Sequence, residues 1–243
     1  MRLTDTQKKF MKVLHDTAHC PHMPICGKEG MDCRNMFPGF IGRRYAGLVI
    51  VGHTPSNNKN FAAENEDFIH YVDEFRKTFF SEDENSSCTA RFLDYNEALC
   101  RYMNSWPEGY LVSRKERAFL DYDIENVAFI NIVKCFRKEN KDTRYKEDIQ
   151  SRCFRSYCQK QLEILSPRYI ICIDKRTMTL LKDLYTLPEN CILTSRNGRR
   201  DIHDLPRKLE AVVPLFKEWS SSLENKTETV VIRRRPRNTD YTD

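Results

Sequence analysis

Four short apolar runs punctuate the chain: Leu48-Val49-Ile50-Val51, Val127 to Val133, Tyr169 to Ile173 and Cys191 to Thr194. Each is β-branched or otherwise apolar, and the first stops at Gly52, as a buried strand feeding a loop does. Helical spacing fills the gaps. Thr4 to His19 places Phe10, Met11 and Leu14 on one face, with Thr4 or Asp5 able to cap its start. Asn65 to Phe80, Thr89 to Trp106, Ile149 to Leu165 and Thr177 to Leu184 have the same texture. Alternating strands and helices predict an α/β domain, a central four-stranded parallel sheet with helices on both faces. Its ligand site is expected beyond the carboxyl ends of the strands. The loops after Val51, Val133 and Thr194 therefore matter most.

Two regions break this pattern. Residues Cys20 to Gly42 hold three cysteines, four glycines and three prolines with no apolar period. That texture predicts an irregular segment ordered by something other than a core, such as a metal cluster. From Ser220 the chain turns polar and carries Arg233-Arg234-Arg235-Pro236-Arg237. The expected organisation is one domain over 1–220, with the cysteine segment 20–42 inside it, and a flexible basic tail over 221–243.

At 243 residues and 40% hydrophobic content the chain can bury one sizeable core. No stretch approaches the roughly 20 apolar residues that span a bilayer, and Met1 to Lys12 is mixed polar rather than a signal sequence. A soluble, cytoplasmic protein with no membrane partner is expected, and no obligate protein partner is evident. Ten cysteines without a signal sequence argue for reduced thiols or a metal site rather than a disulfide framework. The net charge of +5 is modest, but positive residues cluster at Arg43-Arg44, Arg196 to Arg200 and Arg233 to Arg237, as in a polyanion binder. Taken alone, each cluster is explained equally well as solvated surface.

The most specific stretch is Asn131-Ile132-Val133-Lys134-Cys135, then a polar loop, then Cys153 in a helix that leads through Ser166-Pro167 to Tyr169-Ile170-Ile171. Upstream stands Val51-Gly52-His53-Thr54-Pro55-Ser56, preceded by Cys20, Cys26 and Cys33. In this order the motifs resemble the iron-sulfur branch of the uracil-DNA glycosylase superfamily, with a divergent catalytic set. The resemblance runs from about Cys20 to Val213. It implies a DNA glycosylase that flips a base out of duplex or single-stranded DNA and hydrolyses its N-glycosidic bond, leaving an abasic site.

The same resemblance implies a [4Fe-4S] cluster on Cys26, Cys33, Cys135 and Cys153, lying outside the chemistry. Cys20 is an alternative ligand, because the tight C-x-x-C of the family is absent. Zinc would satisfy the same thiolates. Cys88, Cys100, Cys158, Cys172 and Cys191 are read as buried thiols. Asn131 matches the amide that pairs with the pyrimidine edge, and Phe61 matches the aromatic that stacks on the base. In another branch the catalytic Asn falls on Thr54, which places Thr54 beside the base.

Two departures bear on the target. His53 replaces the water-activating Glu, so His53 and Glu64 are the candidates for water positioning. Arg196 stands where the leaving-base His is expected, with Asn197, Arg199 and Arg200 as DNA contacts. These changes imply a base larger than uracil, for example a modified cytosine of a phage genome, and a role in antiviral defence. The other reading is an inactive iron-sulfur protein that binds nucleic acid.

Overall fold

Thr4 opens the first element with a capping box: its hydroxyl accepts from the Gln7 N–H at 3.2 Å, and its own N–H donates to Gln7 Oε1 at 2.9 Å. The first orphan donors of α1 (Asp5–Ala18) are thereby satisfied. Phe10, Val13, Leu14 and Ala18 form its buried stripe. The computed structural model describes residues 3–45, 47–55, 66–80, 88–105, 127–137, 147–189 and 191–195. The boundary expected at 220 and the tail expected over 221–243 lie outside them.

The cysteine segment is not irregular. It forms α2 (Met23–Lys28), β1 (Met31–Met36) and the two-residue β2 (Phe40–Ile41). Its order comes from partners distant in sequence, which no local period can reveal. Tyr71 and Tyr95 hydroxyls donate to the Met36 and Gly39 carbonyls at 2.8 and 2.9 Å. Gln161 Nε2 donates to Pro38 at 2.7 Å, and Asn96 Nδ2 to Ile41 at 3.1 Å.

Four strands run parallel, as the apolar runs predicted: β3 (Leu48–Gly52), β4 (Val127–Asn131), β6 (Tyr169–Cys172) and β7 (Ile192–Ser195). The sheet is nonetheless five-stranded and mixed, in the order β2-β4-β3-β6-β7, because β2 adds an antiparallel edge to β4. A two-residue strand is too short to show alternation. The run Val127 to Val133 leaves the sheet at Asn131, and β5 (Cys135–Arg137) turns back to pair with β1 in a separate antiparallel ribbon. Every residue of β3 and β4 is buried. Since side chains alternate across a strand, both faces of the sheet centre are covered.

Helices α3 (Glu66–Phe80) and α4 (Cys88–Ser105) meet through Phe75 and Phe79, whose rings lie 6.0 and 5.2 Å from Tyr95. Where one continuous helix is expected over 149–165, the chain makes α5 (Glu147–Cys153), a π-helical turn (Phe154–Cys158) and α6 (Gln159–Leu165). Such turns mark places where a helix must re-aim its side chains. The last described helix, α7 (Lys175–Leu184), is capped by Asp174, which accepts from the Thr177 N–H at 2.6 Å. Among the described residues no helix is long and apolar enough to cross a membrane.

From β3 the chain moves to one side to make β4, then to the other side of β3 to make β6. The strand order therefore reverses at β3, and a crevice is expected beyond the carboxyl end of that strand.

Gly39 holds the turn that leads into β2. Its φ is +114°, and a Cβ there would stand 2.6 Å from the Phe129 carbonyl oxygen, a backbone atom of β4. Gly39→Ala is expected to cost about 3 kcal/mol of stability. Denaturant titration checks this, and an unchanged midpoint would show that the turn is not fixed as described.

Candidate functional site

Two strand ends meet at that edge of the sheet. Gly52 and Asn131 are paired in register across β3 and β4. Beyond them the loops stay joined: the Ile132 N–H donates to the Gly52 carbonyl and the Val133 N–H to the His53 carbonyl, both at 2.9 Å. His53, Thr54 and Asn131, three of the residues expected at the site, are thereby brought to one edge of the sheet.

Asn131 is 2% exposed, and its Oδ1 is buried with no hydrogen-bond partner among the described residues. An unmet acceptor in a protein interior costs on the order of 1–3 kcal/mol, so it calls for an explanation. Gly52 makes room for it. A Cβ on residue 52 would fall 2.1 Å from Asn131 Oδ1 and 3.1 Å from the Phe129 ring.

His53 is 9% exposed, and its Nε2 lies 3.1 Å from Gln150 Oε1. Since that oxygen can only accept, the His53 Nε2–H donates to it. Gln150 was not legible as a site residue. Its only signal in the sequence is its place three residues before Cys153 on a helix, where both side chains lie on one face.

On the other side of the Val133-Lys134-Cys135 stretch, five thiols line one cavity: Cys20, Cys26, Cys33, Cys135 and Cys153. Local structure explains each placement. Cys20 follows the end of α1, Cys26 lies on α2, Cys153 ends α5, and the β1/β5 ribbon carries Cys33 and Cys135. A bulge between Asp32 and Met36 shifts the register, so that Met36 rather than Cys33 faces Cys135 across the ladder.

The thiols crowd one another. A hydrogen bond to Cys135 and burial push Cys33 up to about 12, and a hydrogen bond to Cys33 with burial pushes Cys26 higher still. Burial holds Cys153 at about 12 although the Lys134 N–H donates to its sulfur at 3.4 Å. Burial and a hydrogen bond to Cys20 raise Tyr157. The Arg152 guanidinium stands 3.9 Å from the Cys26 sulfur and is held at 2.9 Å by Asp148.

As the side chains stand, no three of the described His, Cys, Asp and Glu residues are arranged to hold a metal ion. The lining nevertheless brings together five thiols and the His22 imidazole, with no carboxylate among the described residues lining the cavity. Its space, about 20 Å³, takes one atom-sized guest. A single ion suits it directly, and a larger cluster requires the thiols to move apart. Ionising several neighbouring thiols without a cation between them is unfavourable, and a metal would reverse that preference and release protons on binding. Cys26, Cys33, Cys135 and Cys153, with Cys20 as the fifth candidate, are the residues that would hold it.

The remaining cysteines divide, and the side chains of Cys88 and Cys100, also expected to be buried, lie outside what is described. Cys158 and Cys172 are fully buried, as expected, whereas Cys191 is only partly buried because it precedes the edge strand β7. Phe61, Glu64, Arg196, Asn197, Arg199 and Arg200 lie outside the described residues. No protein-family model matches the chain, and a comparison with curated proteins finds no match.

Proposed function

We propose that the chain is a DNA glycosylase of the uracil-DNA glycosylase superfamily, acting in the cytoplasm on a base flipped out of DNA. The observation that carries this reading is the buried Asn131 Oδ1, without a partner among the described residues, at the carboxyl end of a parallel strand, where the missing Cβ of Gly52 lets the amide sit. A flipped pyrimidine offers the missing donor, through an N3–H in a uracil-type base or a 4-amino group in a cytosine-type base. His53, hydrogen-bonded to Gln150, is the proposed water-positioning group, and Glu64 is the proposed carboxylate partner. Arg196 would meet the charge developing on the departing base, while Asn197, Arg199 and Arg200 would hold phosphates. Phe61 and Thr54 complete the proposed base contacts.

The thiol cavity is proposed to hold a [4Fe-4S] cluster or zinc. When bound, that group would tie α2 and the β1/β5 ribbon to α5, without entering the chemistry. The changed motifs favour a modified pyrimidine, such as those of phage genomes, as the target in an antiviral defence.

Base release is measured on DNAs containing uracil, hypoxanthine, and plain, hydroxymethylated or glucosylated cytosine, scored as alkali-labile abasic sites. Release from one substrate is the expected result. DNA binding with no release from any of them would favour the inactive nucleic-acid binder. Gly52→Ala, which forces the Asn131 amide aside, is expected to lower release on the order of 100-fold. In combination with Asn131→Ala it should add little, because both act on one contact. Fully additive losses would separate the glycine from the amide.

A further inference from the structure

Gln150 sits on α5 and is only 8% exposed, although its side chain is polar. A buried amide is tolerated where it is hydrogen-bonded. Its Oε1 accepts from the His53 Nε2–H at 3.1 Å, a contact between residues 97 positions apart. Both partners are buried, so water competes little for the bond.

His53 is the first residue beyond β3, and its main chain is already fixed there: its carbonyl accepts from the Val133 N–H at 2.9 Å. That bond acts on the backbone alone and leaves the two side-chain torsions of the imidazole open. A contact at Nε2, at the far end of the ring, restrains both at once. The residue is therefore held from two directions, its backbone by the chain leaving β4 and its ring tip by α5. Helix α5 is a firm support, because its Ile149 is buried and, with Cys153, lines the thiol cavity. A group carried on a packed helix holds its partner more closely than one carried on a loop.

We propose that Gln150 is a positioning residue for base release: by accepting from His53 it fixes the imidazole in the orientation from which that ring places the attacking water. This rests on the reading of the chain as a DNA glycosylase with His53 as its water-positioning group. Gln150 acts through His53 rather than on the substrate, and a misplacement of about 1 Å is enough to cost on the order of 100-fold in rate.

The test uses DNAs containing uracil, hypoxanthine, and plain, hydroxymethylated or glucosylated cytosine. On the one from which wild-type protein releases a base, single-turnover rate, DNA affinity and thermal midpoint are measured for Gln150→Met, Gln150→Glu, His53→Ala and the double variant His53→Ala/Gln150→Met. Gln150→Met keeps the size of the side chain but not the acceptor, and should slow release by about 10–100-fold with DNA affinity unchanged within about twofold. Gln150→Glu keeps an acceptor at the same reach and should recover most of that loss. In the His53→Ala background Gln150→Met should slow release by less than about twofold further, because both changes act on one group. Gln150→Ala carries the same expectations if Gln150→Met does not fold.

Release by Gln150→Met at the wild-type rate would overturn the positioning role and leave the glycosylase standing. So would a loss that persists undiminished in the His53→Ala background, a loss wholly due to weaker DNA binding, or Gln150→Glu no faster than Gln150→Met. Release by His53→Ala at the wild-type rate would remove His53 from the reaction, and Gln150 with it. Wild-type protein that releases no base from any of these DNAs would overturn the glycosylase reading itself and this role along with it.

Discussion

Base release by the Asn131→Ala protein is expected to fall by at least about 100-fold, while its thermal midpoint stays level or rises. The two halves of this expectation have one cause. Asn131 Oδ1 is buried with no partner among the described residues, which makes it a destabilising group in the free protein, and removing it relieves that cost. On the proposed reading a seated base supplies the missing donor to this atom. A residue kept for folding would show the opposite pattern, with stability and activity lost together. Parallel thermal melts and single-turnover release assays separate the two. A lower midpoint with activity retained would remove Asn131 from the proposed pocket.

Cys33→Ser is expected to abolish metal binding and to destabilise the protein by several kcal/mol. Cys33 is buried on β1 and hydrogen-bonds with both Cys26 and Cys135, which puts it at the middle of the thiol group. Five thiols exceed the four a tetrahedral ion or a cubane cluster takes from a protein. A full serine series should therefore contain one variant that keeps its metal. Cys20→Ser is that variant if the set is Cys26, Cys33, Cys135 and Cys153. Metal analysis of the five proteins reads this directly, and full metal retention by Cys33→Ser would exclude it as a ligand.

The four parallel strands and the helices between them were legible because each follows an apolar run of the right length and period. The resemblance singled out Cys26, Cys33, Cys135 and Cys153, with Cys20 as the alternative, and these five line one cavity. The ordering of residues 20–42 was not legible, because Met36, Pro38, Gly39 and Ile41 take their hydrogen bonds from Tyr71, Gln161, Tyr95 and Asn96. Such long-range polar contacts leave no local period. Gln150 and Lys134 were missed for a related reason: a polar residue in a helix or at a strand end reads as solvated until its burial is seen.

Only Ile132, Val133 and Lys134 separate Asn131 from Cys135. All three are buried, and the first two are bonded through their N–H groups to the Gly52 and His53 loop. Four residue steps span at most about 14 Å, and a chain fixed along its length has no slack to absorb displacement. The Asn131 amide and the thiol cavity are thus two ends of one rigid lever. An amino-acid replacement accepted at either end must be tolerated at the other, so the two should drift together, or not at all, as the sequence diverges.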